Sequence, residues 1–230
     1  MAPTTGRAVQ PITSRSVVEQ STDELRRAIL AGTLAPGSEY SLRELAGMLA
    51  VSFIPIREAL RSLESEGLVI TRPGRSVLIA PLDLEDLHGI YRLRRVVEPE
   101  IARRSCLLLS DADLERLQGQ AAGFGEVGQG MEDIYDGHHD FHLALLSPAA
   151  STWDLRMLIT LWRAAERYIR IGFGQLDPDP VEHERRGRAH LDLVAAFRTR
   201  EPDVVADAIE QHLARNEQIA QAALAEQPAR

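Results

Sequence analysis

SLRELAGMLAVSFIPIREALRSLESEGLV, residues 41–69, carries two helix starts close together, and that spacing decides the fold of the N-terminal part. Ser41 stands three residues before Glu44, the reciprocal arrangement of a capping box, so a helix opens there. Ser52 is placed to cap the next helix, and Pro55 falls in its first turn, where a missing N–H does no harm. Gly67 ends it. Upstream, Val17, Val18, Leu25, Ala28 and Ile29 recur at helical spacing as far as Leu30, and AGTLAPGSEY (31–40) stops that helix with two glycines and a proline. Downstream, LVITRPGRSVLIAP (68–81) is two short β-branched runs about a Pro-Gly turn, the pattern of a small hairpin. Three short helices and a hairpin make a winged helix-turn-helix, a shape suited to duplex DNA. Its recognition helix enters the major groove with N-terminal residues at base edges. Here that helix begins at Ser52, with Arg57 little more than one turn in, and its N-terminus favours a phosphate.

After Pro81 the pattern changes. Six segments, from DLEDLHGIYRLRRVVEPEIARRSCLLL to EPDVVADAIEQHLARNEQIAQAAL, show helical periodicity between short Gly, Pro, Ser or Asp breaks, with no strand pattern. The expected fold is mainly α: a winged helix-turn-helix with a β-hairpin wing over 15–81, then an all-α antiparallel six-helix bundle over 82–225. Residues 1–14 and 226–230 read as flexible tails, and a length of 230 residues accommodates two ordinary domains. No apolar run approaches the roughly 18 residues needed to cross a bilayer, so no membrane association is expected. The first residues lack the apolar stretch of a signal peptide. Cys106 is the only cysteine, which excludes an intramolecular disulfide and fits a reducing cytoplasm. Residues 1–80 carry nine arginines against eight acids, whereas the other 150 carry 17 against 26. A nearly neutral N-terminal part is by itself weak electrostatic support for nucleic acid.

Residues 17–80 resemble the winged helix of GntR-type bacterial transcription regulators. AILAGTLAPG, SLRELA and VSFIPIREALRSLESEGLV occur in order at that family's spacing. The resemblance implies DNA contacts for Arg43, for Ser52 and Pro55 at the start of the recognition helix, and for Arg57. The wing of such regulators enters the minor groove, which implicates Arg72, Gly74 and Arg75. Relatives often have Arg-Thr where this chain has Phe53-Ile54; a guanine-directed arginine is missing, and apolar contact with a thymine methyl takes its place. Arg75-Ser76 stands where Arg-Gly is usual, which reshapes the wing tip.

DGHHDFHLAL, residues 136–145, poses the second question. His138 and His142 form an i, i+4 pair on one helix face and can chelate one ion. His190 and His212 lie on consecutive helices, each 11 residues from the break at Glu201, so an antiparallel hairpin sets them at one height. Four imidazoles can thus converge inside the bundle. His139 points about 100° away from His138 and Asp140 about 100° further round, beyond His139; His88 and His183 read as surface residues. An isolated HxxxH is more often polar surface or a satisfied core pair than a metal site.

YRLRRVVEPE (91–100), GHHDFHLALL, RAHLDLVAAF and EQHLARNE resemble the FCD ligand-sensing domain of the FadR-like branch, in its six-helix VanR-type form. Many members bind a metal through an Asp, a His four residues later and two further His. The Asp position is His138 here. An all-imidazole set favours zinc, nickel or copper over manganese, with zinc or nickel first, and requires neutral rings. Arg94 matches the cavity-facing arginine that holds a small carboxylate effector, with Glu98 one turn later to orient it. The other reading of Arg94, Arg95 and Glu98 is an exposed i, i+4 pair. Trp162, Arg163, Glu166, Arg167 and Tyr168 form a further cluster, any of which can line a cavity.

The resulting expectation is a cytoplasmic homodimer that binds a palindromic double-stranded operator and responds to a small organic acid, as a repressor. The alternatives are a metal-free effector cavity, a DNA-binding architectural protein that senses nothing, and a hydrolase in which a histidine-held metal activates water. For the last, Asp140 and Glu184 are the base candidates by proximity in sequence alone.

Overall fold

The computed structural model describes residues 15–72, 76–124, 131–176 and 180–226. The winged unit comprises α1 (Val17–Leu30), β1 (Glu39–Ser41), α2 (Leu42–Met48), α3 (Phe53–Ser65), β2 (Val69–Arg72) and β3 (Ser76–Ile79). Each helix start has a local cause. Ser16 with Glu19 and Ser41 with Glu44 form capping boxes on α1 and α2. Ser52 occupies the N-cap of α3, but its side chain makes no cap hydrogen bond, which leaves the hydroxyl exposed at the helix mouth. Gly67, at φ +73°, takes the left-handed turn that ends α3.

One strand exceeds the expected hairpin. The three residues of β1 pair with β3, Tyr40 opposite Val77, so the wing is a three-stranded antiparallel sheet in the order β1-β3-β2. The expected Pro-Gly turn, with Gly74 and Arg75, lies outside the described residues. Ile56, Ala59 and Leu63 on α3 are wholly buried against Leu25, Ile29, Leu45 and Val77. The recognition helix is therefore anchored by its inner face while Phe53, Ile54 and Arg57 stay outside. Truncating Ile56 to Ala would cost about 2–5 kcal/mol.

The second unit is a bundle: α4 (Leu84–Ser105), α5 (Asp111–Gly123), α6 (Met131–Leu146), a 3₁₀ turn at Ser147–Ala149, α7 (Thr152–Leu176), α8 (Pro180–Thr199) and α9 (Pro202–Ala225). Its core, which includes Leu87, Tyr91, Phe141, Phe197 and Leu213, shares no residue with the core of the winged unit. α9 runs along α4 and α7, and α5 packs on α8. The α8–α9 corner falls where the sequence placed the break. Arg200 there adopts φ +60°, Pro202 opens α9, and the Arg200 guanidinium donates to the Cys106 carbonyl at 2.7 Å. Among the described residues no helix is long and apolar enough to cross a membrane.

Candidate metal and effector site

The four expected imidazoles meet. His138 and His142 project from α6, His190 from α8 and His212 from α9, and one nitrogen of each lies within 4.8 Å of the others. Two bare lone pairs repel at short range, so the 3.3 Å between His138 Nε2 and His142 Nε2 requires a shared proton or a shared cation. His190 Nδ1 donates to the Arg186 carbonyl (2.7 Å), which leaves its Nε2 buried, bare and without a partner. Metal-binding histidines are oriented in this way. Asn216, one turn after His212, donates from Nδ2 to His212 Nε2 (3.1 Å).

Burial, reinforced by the neighbouring imidazoles, pushes His138, His142 and His212 well below the ordinary histidine range, and burial brings His190 down to about 4. All four are neutral near pH 7, the form that can ligate. A tetrahedral zinc site with bonds of about 2.0–2.1 Å has nitrogen–nitrogen edges of roughly 3.3 Å. The α6 pair already stands at that separation, and the other rings need only a modest inward movement. The residues present fit a metal of the imidazole-preferring kind.

Beside the cluster, Arg94 and Glu98 form an internal pair. The Arg94 side chain is 3% exposed and Glu98 1%, and Nε donates to Oε1 at 2.6 Å. Trp162 Nε1 donates to the same oxygen (2.8 Å), and the guanidinium lies over the Tyr91 ring. Arg94 Nη1 has no partner although it is buried. The exposed-pair reading of Arg94 and Glu98 is thus excluded; Arg95 instead pairs with Glu217 on α9. Arg94, His138 and His142 line a cavity of about 340 Å³ together with Tyr135, Trp162 and Arg163.

Some expectations need correction. His139 does not point away from this space: it lines the cavity, edge-on to Trp162 with ring centroids 5.2 Å apart. A helical wheel gives a side chain's direction from its own axis, but the cavity wraps around α6 and so meets both faces. Of the α7 cluster, Trp162, Arg163 and Glu166 line the cavity, whereas Arg167 and Tyr168 turn the other way to hold Asp86 at 2.7 Å each. His88 is half-exposed, with Nδ1 2.7 Å from Glu217 Oε1, and the side chain of His183 lies outside the described ones. Sequence reasoning missed Asn216 and the Arg186 carbonyl, although an i+4 amide after His212 was readable.

This arrangement, a winged helix followed by a helical bundle with a polar cavity, coincides with two family matches. Residues 18–79 match the bacterial regulatory proteins of the gntR family, and residues 89–215, more than half of the chain, match the FCD domain. The chain is a GntR-family regulator with an FCD domain. Its relatives include the uncharacterized HTH-type transcriptional regulator BphR of Paraburkholderia xenovorans, 29% identical over 86% of this chain and 83% of that protein. The HTH-type transcriptional repressor RspR of Escherichia coli is 26% identical over 82% of each. The solved structure of E. coli McbR/YncC superposes with a TM-score of 0.74 at 22% identity, over 91% of this chain and 99% of the other, and shares the fold. The gntR family, BphR and RspR are regulators of transcription, not enzymes, which sets aside the hydrolase reading; Asp140 and Glu184 are in any case exposed.

This GntR-family regulator binds DNA, and the winged unit presents the residues that the family resemblance singles out. Arg43, Ser52, Phe53, Ile54 and Arg57 are exposed and Pro55 is half-buried. Ile54 is 73% exposed and Phe53 50%, a degree of apolar exposure that folding alone does not explain. Arg72 on β2 reaches Glu39 on β1 at 3.3 Å.

Proposed function

We propose that this regulator is a homodimeric repressor of the FadR-like branch, whose grip on a palindromic operator is controlled by a small carboxylate effector in the cavity lined by α4, α6 and α7. One observation carries the reading: four neutral imidazoles, three of them buried and His138 half-buried, meet beside a buried guanidinium nitrogen that has no partner. A charged N–H left unsatisfied inside a protein costs roughly 1–3 kcal/mol, so Arg94 Nη1 is poised for an anionic oxygen. Glu98 and Trp162 fix the guanidinium in place and Glu98 offsets its charge, so the effector meets a preset donor. His138, His142, His190 and His212 would hold a divalent metal, zinc or nickel by donor type. Such a metal supplies a Lewis-acid contact to a carboxylate oxygen. The repressor named among the relatives supports the sign of the response.

DNA contact is assigned to Arg43, Ser52, Phe53, Ile54, Pro55 and Arg57, with Arg72, Gly74 and Arg75 in the wing. Dimerisation is supported by exposed apolar side chains on α4 and α7, where Val96 is 69% and Trp153 74% exposed. Arg104 and Asp154 (3.9 Å) bring the end of α4 to the start of α7, so one partner can cover both. The Asn216–His212 hydrogen bond, which already occupies His212 Nε2, favours a second reading, a histidine cluster that receives the effector without metal.

The test is fluorescence anisotropy on an operator selected from random duplexes, with small organic acids added to zinc-loaded and metal-free protein. Acid-induced release is expected, stronger with zinc. Operator affinity indifferent to every acid would overturn the sensing role, and equal release without zinc would favour the metal-free cavity.

A further inference from the structure

The cavity reaches the DNA-reading unit. Two of its lining residues, Arg26 on α1 and Arg163 on α7, meet on Glu66, the C-cap of the recognition helix α3. Glu66 is 7% exposed and holds these cations unequally. Arg26 grips it with a fork, Nε at 2.8 Å and Nη2 at 2.7 Å, and spends Nη1 on Asp23 at 2.8 Å. Arg163 Nη1 stands 3.4 Å from Glu66 Oε1, an oxygen already used by Arg26 and approached by the Ser62 hydroxyl at 3.3 Å. Among the described residues this loose contact is the only ion pair of Arg163, whose side chain is 44% exposed. The other acids at the rim do not claim it: Glu166 is held by Arg170 at 2.7 Å, and Asp140 faces His139.

We propose that Arg163 is a second anion subsite at the mouth of the cavity, so that the effector is an organic acid with two acidic groups, the outer one drawing Arg163 off Glu66. The proposal rests on the carboxylate reading of the cavity and adds the class of acid and the route to DNA. The inner group meets Arg94; the outer one competes with the Glu66 carboxylate. The competition is winnable because a partly exposed, long ion pair shifts an equilibrium by a factor of only about 1–5. A charge-assisted hydrogen bond to a carboxylate contributes roughly 10-fold or more. Arg26, held by a two-point fork on Glu66 and by Asp23 on Nη1, stays on Glu66. Loss of the Arg163 contact removes a polar tie between α7 and the recognition helix. The tie from Arg167 Nη1 to the Ala80 carbonyl (3.1 Å), away from the cavity lining, remains as a pivot.

The experiment is calorimetry on the zinc-loaded full chain with two matched series: α,ω-dicarboxylates from malonate to adipate and monocarboxylates of the same carbon number. Wild type, Arg163→Met and Glu66→Gln are compared. At least one dicarboxylate should bind wild type roughly 10-fold more tightly than its monocarboxylate counterpart. In Arg163→Met, which removes a half-exposed charge and leaves the core untouched, that preference should fall to within about 2-fold. Glu66→Gln weakens the competitor, so dicarboxylate binding should tighten by roughly 2- to 5-fold. The best dicarboxylate should also speed amide exchange at residues 60–68 in wild type.

Equal binding of the two series, or a preference that survives Arg163→Met, overturns the subsite while leaving the carboxylate cavity standing. A preference without the exchange change overturns the route to the recognition helix. Binding of neither series overturns this proposal together with the reading beneath it.

Discussion

Removal of the Glu98 carboxylate by Glu98→Ala should strongly destabilise the bundle. The Arg94–Glu98 pair is almost solvent-free, and the lost oxygen accepts from both Arg94 Nε and Trp162 Nε1. Without it, a buried guanidinium stands uncompensated next to neutral imidazoles. Breaking a buried pair from one side costs about 3–5 kcal/mol. At about 2–4 °C per kcal/mol for a chain of this length, the melting temperature should fall by roughly 6–20 °C. The double change Arg94→Met with Glu98→Gln removes both charges and keeps an amide oxygen for Trp162, so it should recover most of that loss. Carboxylate binding should nonetheless be abolished, because the guanidinium is gone. Differential scanning calorimetry of the metal-free proteins reads the stabilities, and titration calorimetry reads the binding. A loss below about 1 kcal/mol in Glu98→Ala would mean that the pair behaves as a solvated surface pair, and the cavity described here would be wrong.

Other outcomes follow from the same geometry. Arg57→Ala should weaken operator binding by about 1–3 kcal/mol and relax sequence preference if the arginine reads a base; a uniform loss with a salt slope shallower by about 1 would make it a phosphate contact instead. Trp153→Glu should shift sedimentation from dimer to monomer while leaving the bundle folded, and an unchanged dimer would place the interface elsewhere. Zinc held at 100 times its dissociation constant should raise unfolding free energy by about 2.7 kcal/mol in urea melts, and His142→Ala should remove that gain. A zinc effect that persists in His142→Ala would show binding outside the four-histidine cluster.

Local signals made most of the fold legible. The Ser41–Glu44 box, Gly67 and the apolar spacing of α1 are each set by contacts within a few residues, and α1 falls at Val17–Leu30 as its periodicity indicates. β1 was not legible, because three residues make a strand only where β3 offers an edge. The histidine cluster was legible through arithmetic: i, i+4 on α6, and equal counts from the α8–α9 corner on the other two. The Arg26–Glu66–Arg163 contact left no trace in the sequence. It joins residues 40 apart through Arg26 and also crosses from one apolar core to the other, so no periodicity links them. His139 escaped for a related reason: a wheel assigns faces to one helix, whereas the cavity is shaped by several.

The most direct measurement is the metal content of the purified chain by inductively coupled plasma mass spectrometry, after chelator-free preparation and reconstitution with zinc or nickel, alongside His142→Ala and His190→Ala. About one equivalent per chain in wild type, lost in both variants, is the expected result. Wild type with no metal after reconstitution, or variants that retain it in full, would contradict a metal-assisted sensor built on His138, His142, His190 and His212.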